Sequence, residues 1–406
     1  MKKIFLLFFL VSVVSSAQVI VKGRVLSFGG KILEGASVYL NNTTIGVYTD
    51  EEGNFELALK EGTYDLIVSF IGYKTTQHLL NTTKNTKPLL FKLLPETTVL
   101  DELVLKKTTY DNQWKHNLSR FKQALLGRTI LSKNCKILNP KVLHFEFDST
   151  TGTLTAEIKE PLKIEHKGLG FLITYDLVDF SLGREQLIYL GYTKYENLSG
   201  GKRKQKRWKQ NRLKAFNGSR MHFVRSLRNQ NLKEEGFLVN QFKRVLNADR
   251  PSEEAIKKAR QLIHLNRNSV VFEKKRTNPK TPLDSAMVIL KKSRLPKYRD
   301  FLYKKNVPYS DMILISKKNI LIKFKDYLSI IYTKEPEEKN YMQNNFLNRR
   351  KALDTQTSAI TMLTKTAILD PSGDIINPLD IFSEGYWSYE QFADLLPLDY
   401  NPPKKK

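Results

Sequence analysis

Few side chains in this 406-residue chain are spaced to do chemistry. The six histidines are His78, His116, His144, His166, His222 and His264. A zinc peptidase needs two imidazoles one helical turn apart around a glutamate, so that both reach one ion. Neither His-Glu-x-x-His nor His-x-x-Glu occurs. His144-Phe145-Glu146 puts an imidazole and a carboxylate on one strand face, with no third ligand marked, and reads as a cross-strand polar pair. Asp370, Asp374, Asp380 and Glu384 offer enough oxygens for Ca²⁺ but lack the dense spacing of a calcium loop, so turn chemistry is expected. The one cysteine, Cys135, has no disulfide partner in the chain and reads as a buried inert thiol. No Gly-x-Ser-x-Gly elbow and no phosphate-binding glycine loop is present. The expectation is no catalytic residue, no metal and no cofactor.

Two stretches are equipped to bind. Lys202 to Lys214 holds Lys202, Arg203, Lys204, Lys206, Arg207, Lys209, Arg212 and Lys214, with Trp208 among them. Cations around an aromatic suit a polyanion, which makes Lys204, Lys206, Arg207, Trp208 and Lys209 candidate contacts. The competing expectation is a solvated loop leading into a helix. In Gly385-Tyr386-Trp387-Ser388-Tyr389, the rings of Tyr386, Trp387 and Tyr389 could stack on sugars. The competing expectation is a C-terminal segment docked on the core, because Phe392, Leu395 and Leu396 follow at helical spacing.

The elements that would position these stretches fall into two groups. From Val19 to about Leu94 apolar residues alternate along short runs: Val21 and Val25; Ala36, Val38 and Leu40; Phe55, Leu57 and Leu59; Tyr64, Leu66, Val68 and Phe70; Leu89, Phe91 and Leu93. Short strands with one greasy face predict two sheets packed face to face. From Asp111 the pattern changes. Trp114, Leu118, Phe121 and Leu125 predict a helix reaching Lys133, with a bend or break near Gly127. Arg212–Leu232 and Ser252–Leu265 are further helical candidates. Strands are expected over Val142–Phe147, Leu154–Ile158, Phe171–Phe180, Leu187–Tyr192, Met312–Ile315, Ile320–Tyr332 and Ser358–Leu369. The fold class is therefore mixed: an N-terminal all-β sandwich, then a larger α+β region with a mainly antiparallel sheet.

The first residues give an address. Met1-Lys2-Lys3, an apolar run from Ile4 to Val14, and Ser15-Ser16-Ala17 form a secretory signal peptide, with cleavage expected before Gln18. The apolar run is about half the roughly 20 residues a membrane span needs. Formal net charge is +26, and it is lopsided: residues 18–95 hold eight Lys or Arg against seven Asp or Glu, so the excess lies beyond Pro95. For an exported protein the available polyanions are lipopolysaccharide and acidic polysaccharide, and no nucleic acid is expected.

Several spaced elements carry a resemblance. Gly23-Arg24-Val25, Leu33 through Leu40, Gly46 through Asp50, Gly53-Asn54-Phe55 and Ser69 through Tyr73 resemble the carboxypeptidase-regulatory-like domain. The resemblance implies a transthyretin-like (prealbumin-like) β-sandwich, common in exported proteins of the Bacteroidota, and no chemistry, since in metallocarboxypeptidases the domain is a non-catalytic appendage. Thr97 through Leu105 is similar to the segment that follows this domain in TonB-dependent transporters. Too little chain follows for a transporter barrel. The stretches Phe121 through Thr129, Cys135 through Pro140, Pro161 through Glu165, Ala215 through Ser219, Gly385 through Tyr389 and Asp394 through Tyr400 resemble the companion region of other Bacteroidota proteins with this domain.

The organisation expected is a signal peptide at 1–17, the sandwich at 18–95, a junction strand and linker at 96–110, an α+β domain at 111–400 and a basic tail at 401–406. The functional expectation is a non-enzymatic envelope protein, a binding or structural module in the periplasm or at the outer membrane, whose partners are outer-membrane proteins, lipopolysaccharide or acidic polysaccharide. The alternatives are an envelope hydrolase with a site assembled from distant C-terminal residues, and an accessory component of an outer-membrane uptake system.

Overall fold

A computed structural model describes residues 18–83, 87–96, 109–184, 186–266, 281–316, 319–342 and 351–403. The signal peptide expected at 1–17, the strand expected at 97–105 and residues 404–406 of the expected basic tail lie outside the described residues.

Alternating burial makes seven strands of residues 19–93: β1 (Val19–Ser27), β2 (Ser37–Leu40), β3 (Gly46–Tyr48), β4 (Asn54–Leu59), β5 (Thr63–Ser69), β6 (Thr76–Asn81) and β7 (Leu89–Leu93). They form two sheets, ordered β4-β1-β7 and β3-β2-β5-β6. β1 runs antiparallel to β4 and parallel to β7, and the second sheet is antiparallel throughout. Val21, Val25, Val38, Leu40, Phe55, Leu57, Leu66, Val68, Phe91 and Leu93 share one buried cluster, with Tyr64 packed half-buried against it. This is the predicted β-sandwich, and the period-two pattern is what fixes its inner faces.

The chain groups into two compact units, Met1–Asn217 with Glu338–Arg349 and Tyr389–Lys406, and Gly218–Glu337 with Arg350–Ser388. In the first unit the sandwich is followed by α1 (Asn112–Leu126), β8 (Cys135–Ile137), β9 (Leu143–Asp148), β10 (Thr153–Ile158), β11 (Leu162–His166), β12 (Phe171–Leu182), β13 (Leu187–Asn197) and α2 (Lys202–Phe216). Asp111 caps α1 by accepting from the backbone N–H of Trp114 at 2.8 Å. The helix ends at Gly127, whose φ of +81° an L side chain resists, and so does not reach Lys133 as expected. The strands form an antiparallel sheet in which β13 runs the length of β12. Phe121 of α1 packs on Phe180 of that sheet at 4.6 Å between ring centroids.

The second unit contains α3 (Arg220–Arg228), α4 (Leu232–Glu235), β14 (Phe237–Leu246), α5 (Glu253–Leu265), α6 (Pro282–Lys292), β15 (Tyr298–Lys304), β16 (Ile313–Ser316), β17 (Asn319–Ile322) and β18 (Tyr327–Tyr332). After α7 (Lys339–Met342), which belongs to the first unit, come β19 (Gln356–Met362), β20 (Ala367–Leu369), β21 (Ile381–Gly385) and the one-turn α8 (Tyr386–Tyr389). One antiparallel sheet is ordered β15-β14-β18-β19-β21 and a smaller one β16-β17-β20. Phe223, Leu227, Phe237, Val239, Leu328, Ile330, Ile360 and Trp387 lie in its core.

Two expected strands prove to be pairs. Ile320–Tyr332 breaks at Asp326, where φ is +57°, and its halves β17 and β18 enter different sheets. Ser358–Leu369 divides likewise into β19 and β20. The helix expected over Arg212–Leu232 is interrupted at Asn217-Gly218, and α2 starts ten residues earlier than the apolar spacing suggested.

Leu66 is fully buried between the two sheets of the sandwich. Leu66→Ala is expected to destabilise the sandwich by about 2–5 kcal/mol. Denaturant unfolding followed by hydrogen exchange at residues 18–95 measures this. A loss under about 1 kcal/mol would mean that Leu66 is not in a close-packed core.

Candidate functional site

The basic stretch is helix α2, where a solvated loop was the competing expectation. Its inner face is set by four consecutive backbone carbonyls in the turn between β11 and β12. Trp208 Nε1 donates to Lys167 O at 2.8 Å, and Asn211 Nδ2 donates to Gly168 O at 2.7 Å. Arg212 donates to Leu169 O at 2.8 Å and to Gly170 O at 3.2 Å. Its guanidinium also lies 3.9 Å from the Phe171 ring centroid. Positions 208, 211 and 212 share one helix face, and Ala215 and Phe216 continue it into the interior. Gly170 has a φ of +76°, and a Cβ there would sit 2.3 Å from the Trp208 ring, so glycine is required for this close approach. Beneath the turn, His166 donates from Nε2 to Ala393 O at 2.8 Å and accepts at Nδ1 from the Leu169 N–H at 3.2 Å. Burial lowers the pKa of this histidine, which acts as a neutral scaffold group.

The rest of the helix surface is cationic. Lys202, Arg203, Lys204, Lys206, Arg207 and Lys209 are all exposed. None has a carboxylate partner among the described residues, whereas Lys214 lies 4.0 Å from Glu338. Lys202, Lys206 and Lys209 line a shallow open depression of about 570 Å³ with Gly200, Gln205 and Gln210. Local electrostatics oppose this arrangement. Three cations occupy the first turn, where the helix dipole favours anions, and Lys202/Lys206 and Arg203/Arg207 are like-charged i, i+4 pairs. Each such clash is worth a few tenths of a kcal/mol. Burial of one residue such as Phe216 returns roughly 1.5–3 kcal/mol, so tertiary anchoring holds the helix. Of the five residues singled out from sequence, Lys206 and Lys209 line the depression, Lys204 and Arg207 are exposed outside it, and Trp208 is the anchor, 4% exposed.

The C-terminal aromatic rings are buried. Trp387 Nε1 donates to Gly218 O at 2.8 Å, and its ring lies 5.4 Å from Phe223 in the core of the second unit. Tyr386 is buried as well. In the first unit, the Tyr389 hydroxyl donates to Glu338 Oε2 at 3.0 Å and its ring lies 5.2 Å from Tyr341. These rings leave no open platform for a sugar.

The acidic candidates are dispersed. Asp370 accepts from the Ser372 N–H at 2.7 Å, Asp374 pairs with Arg220 at 3.3 Å, Asp380 accepts from Asn377 at 2.9 Å and Glu384 pairs with Arg244 at 2.7 Å. His144 and Glu146 stand 4.0 Å apart. Among the described residues no group of three or more His, Cys, Asp or Glu is placed to hold a metal ion.

Sequence reasoning missed one ionisable cluster in the first unit. The Asp394 carboxyl is buried, Thr129 hydrogen-bonds it, and its Oδ2 has no hydrogen-bond partner. Burial, with a smaller contribution from the charge of Glu338, pushes its pKa well above the usual carboxylate range, while Thr129 and Lys214 pull it back. Nearby, burial and then Asp394 push the Cys135 thiol up to about 12, so it is inert at neutral pH. Nothing in the spacing of Thr129, Cys135, Glu338 and Asp394 announces that they meet.

Residues 21–105 match the family of CarboxypepD_reg-like domains. The N-terminal sandwich is a carboxypeptidase-regulatory-like domain. The chain is also 38% identical over 88 residues to the TonB-dependent receptor SusC of Bacteroides thetaiotaomicron, a match covering 22% of this chain and 8% of that protein. The chain is a Bacteroidota protein with this domain at its N-terminus. Two solved structures are similar at a TM-score of 0.17 each. A DUF3823 family protein from Bacteroides ovatus is 10% identical, with 46% of this chain and 83% of that one covered. A putative membrane-associated protein of unknown function from Bacteroides fragilis is 8% identical, with 90% and 93% covered.

The regulatory-like domain is gripped at its β2–β3 turn. Asn42 takes a φ of +58°, and its N–H donates to Thr193 O of β13 at 2.8 Å. Thr43 O accepts from the Tyr195 N–H at 3.0 Å. The C-terminal tail closes the other side: Leu398 N donates to Asn42 O at 2.7 Å, and Asp399 accepts from both the Thr44 N–H, at 2.9 Å, and the Thr44 hydroxyl. Lys194, almost fully buried, reaches Ser37 Oγ at 3.2 Å, Glu196 at 3.5 Å and the face of Tyr48 at 3.9 Å.

The Asp394 carboxyl gives a pH dependence with a defined sign. Its folded pKa lies above the unfolded value of about 3.9, so the folded state retains a proton that the unfolded chain releases. That contribution to stability is complete below about pH 4 and is lost as pH rises through the raised value. Asp394→Asn is expected to flatten this decline. Denaturation midpoints of both proteins between pH 4 and 9 measure it, and parallel profiles would show that the carboxyl titrates normally.

Proposed function

We propose that this is a non-enzymatic, exported cell-envelope protein, a binding module whose α2 helix docks on an anionic envelope polymer such as lipopolysaccharide or acidic polysaccharide. One observation carries the reading: six cationic side chains stand on one rigid helix without carboxylate partners, against local helix electrostatics. Sequences violate local preferences mainly where function asks for it. The outer face mixes ammonium, guanidinium and amide donors, which suits phosphate and carboxylate groups. Export rests on the signal-peptide pattern of residues 1–17, and an envelope setting on the likeness of the regulatory-like domain to the SusC receptor. A second reading, an accessory component of an outer-membrane uptake system, is favoured by that same likeness. Recovery of an outer-membrane receptor with the protein from the native envelope would support it.

Binding of this kind is electrostatic and weakens as salt screens it. With Lys204, Lys206, Arg207 and Lys209 all replaced by Gln, retention on lipopolysaccharide and heparin-like matrices is expected to fall, with elution at clearly lower salt than wild type. Trp208 is left intact so that the helix stays anchored. Equal elution of the two proteins would reduce α2 to a solvated helix.

A further inference from the structure

β15 is the edge strand of the larger sheet in the second unit. Six consecutive residues, Tyr298 to Tyr303, are exposed on both faces. With the end of its neighbour β14 it carries a dense set of exposed apolar side chains: Phe301 at 65%, Leu246 at 70%, and Tyr298, Leu302, Tyr303 and Val245 at 40–45%. Soluble proteins normally blunt such an edge with free charge, proline or a cover. The strand Tyr-Arg-Asp-Phe-Leu-Tyr-Lys has charges, but each is neutralised inside the unit. Arg299 pairs with Asp249 at 2.6 Å, Asp300 with Arg244 at 2.8 Å, and Lys304 with Asp311. What remains unmet along the edge is aromatic and aliphatic surface with one side of the backbone ladder. Lys297 O accepts from the Asn247 N–H, so the ladder phase turns the backbone groups of Tyr298, Asp300 and Leu302 toward the open side. Among the described residues nothing bonds to them there.

We propose that β15 pairs antiparallel with β15 of a second copy of this chain, about a two-fold axis through Phe301. Strand sequence and charge select this occupant. A two-fold axis between edge strands stands perpendicular to the sheet and keeps like faces together. In the register centred on Phe301 the two Phe301 rings face each other, Arg299 lies opposite the partner's Tyr303, and Lys304 lies opposite the partner's Tyr298. Both cations then sit by aromatic rings, and within Tyr298–Lys304 no like charges oppose each other; just beyond the strand ends Lys297 falls opposite the partner's Lys305. An apolar edge whose own charges are spent is complementary to another such edge, and β15 itself is one. The two five-stranded sheets join into one of ten strands.

The chain's net charge of +26 opposes this association at long range. The Debye length falls from about 30 Å at 0.01 M salt to 3 Å at 1 M, so dimerisation strengthens with salt, opposite in sign to polyanion binding by α2. Sedimentation velocity on the full chain at 0.05 and 0.5 M NaCl reads this directly. Wild type is expected to shift from monomer toward dimer with protein concentration, and at several-fold lower concentration in the higher salt. Phe301→Lys, at a site too exposed to disturb the core, is expected to stay monomeric. The register has its own test. Phe301→Cys is expected to oxidise to a covalent dimer, because opposed residues of an antiparallel pair fall within disulfide reach, whereas Leu302→Cys meets Asp300 and is expected to cross-link far less. A wild type monomeric at both salts, a Phe301→Lys variant that dimerises like wild type, or equal cross-linking of the two cysteine variants would each overturn the proposal.

Discussion

Three consecutive carbonyls, those of Lys167, Gly168 and Leu169, take their donors from α2, and the position of the helix follows from that need. A buried carbonyl left without a donor costs about 1–3 kcal/mol, so the turn and the helix stabilise one another. Trp208, Asn211 and Arg212 meet the requirement from one face. Once that face is fixed, the lysines and arginines on the rest of the helix are left at the surface. The cationic surface is a by-product of backbone satisfaction in its geometry, though not in its composition. A helix anchored this way tolerates a first turn crowded with positive charge, which an isolated peptide of the same sequence would not.

The distribution of charge partners separates two kinds of surface. Arg244 is clamped by Asp300 and Glu384 while lying over the Tyr327 ring, and the strand at the sheet edge is otherwise neutralised pair by pair. On α2 no such pairing occurs within the described residues before Lys214. The same chain therefore presents one face dominated by charge and another from which charge has been withdrawn. Screening acts on the two in opposite directions.

How far the sequence could be read depended on whether a signal was local. The sandwich was legible because each strand writes its buried face as a period of two, and Val38, Phe55, Leu57, Leu66 and Val68 are buried together. The basic composition of α2 was legible, but its helical state was not, since Trp208 and Phe216 are its anchors and the rest looks solvated. The breaks at 323–326 and 217–219 are interruptions of three or four residues inside longer patterns, which periodicity smooths over. Helix α6 went unread although Thr281-Pro282-Leu283-Asp284 spells a capping box, with Thr281 Oγ1 accepting from the Asp284 N–H at 3.1 Å and Asp284 accepting from the Thr281 N–H at 3.0 Å. The strands β14 and β15 were also missed; their alternation is interrupted by charges whose partners lie far off in sequence. The Asp394 cluster joins residues from four places in the chain and leaves no trace in any window.

The grip on the β2–β3 turn sets an order of events. The Thr44 hydrogen bonds to Asp399 close a loop of 355 residues. A chain that emerges N-terminus first, from a ribosome or through a translocation channel, can form its sandwich early, because those contacts are local. The latch on that sandwich cannot close until Leu398 and Asp399 have appeared. Between the two events the Asn42 carbonyl and the Thr44 N–H and hydroxyl stand facing water, open to chaperones and proteases. Removing Leu398 and Asp399 would therefore register at the distant β2–β3 turn, as loosening of the first domain to fold.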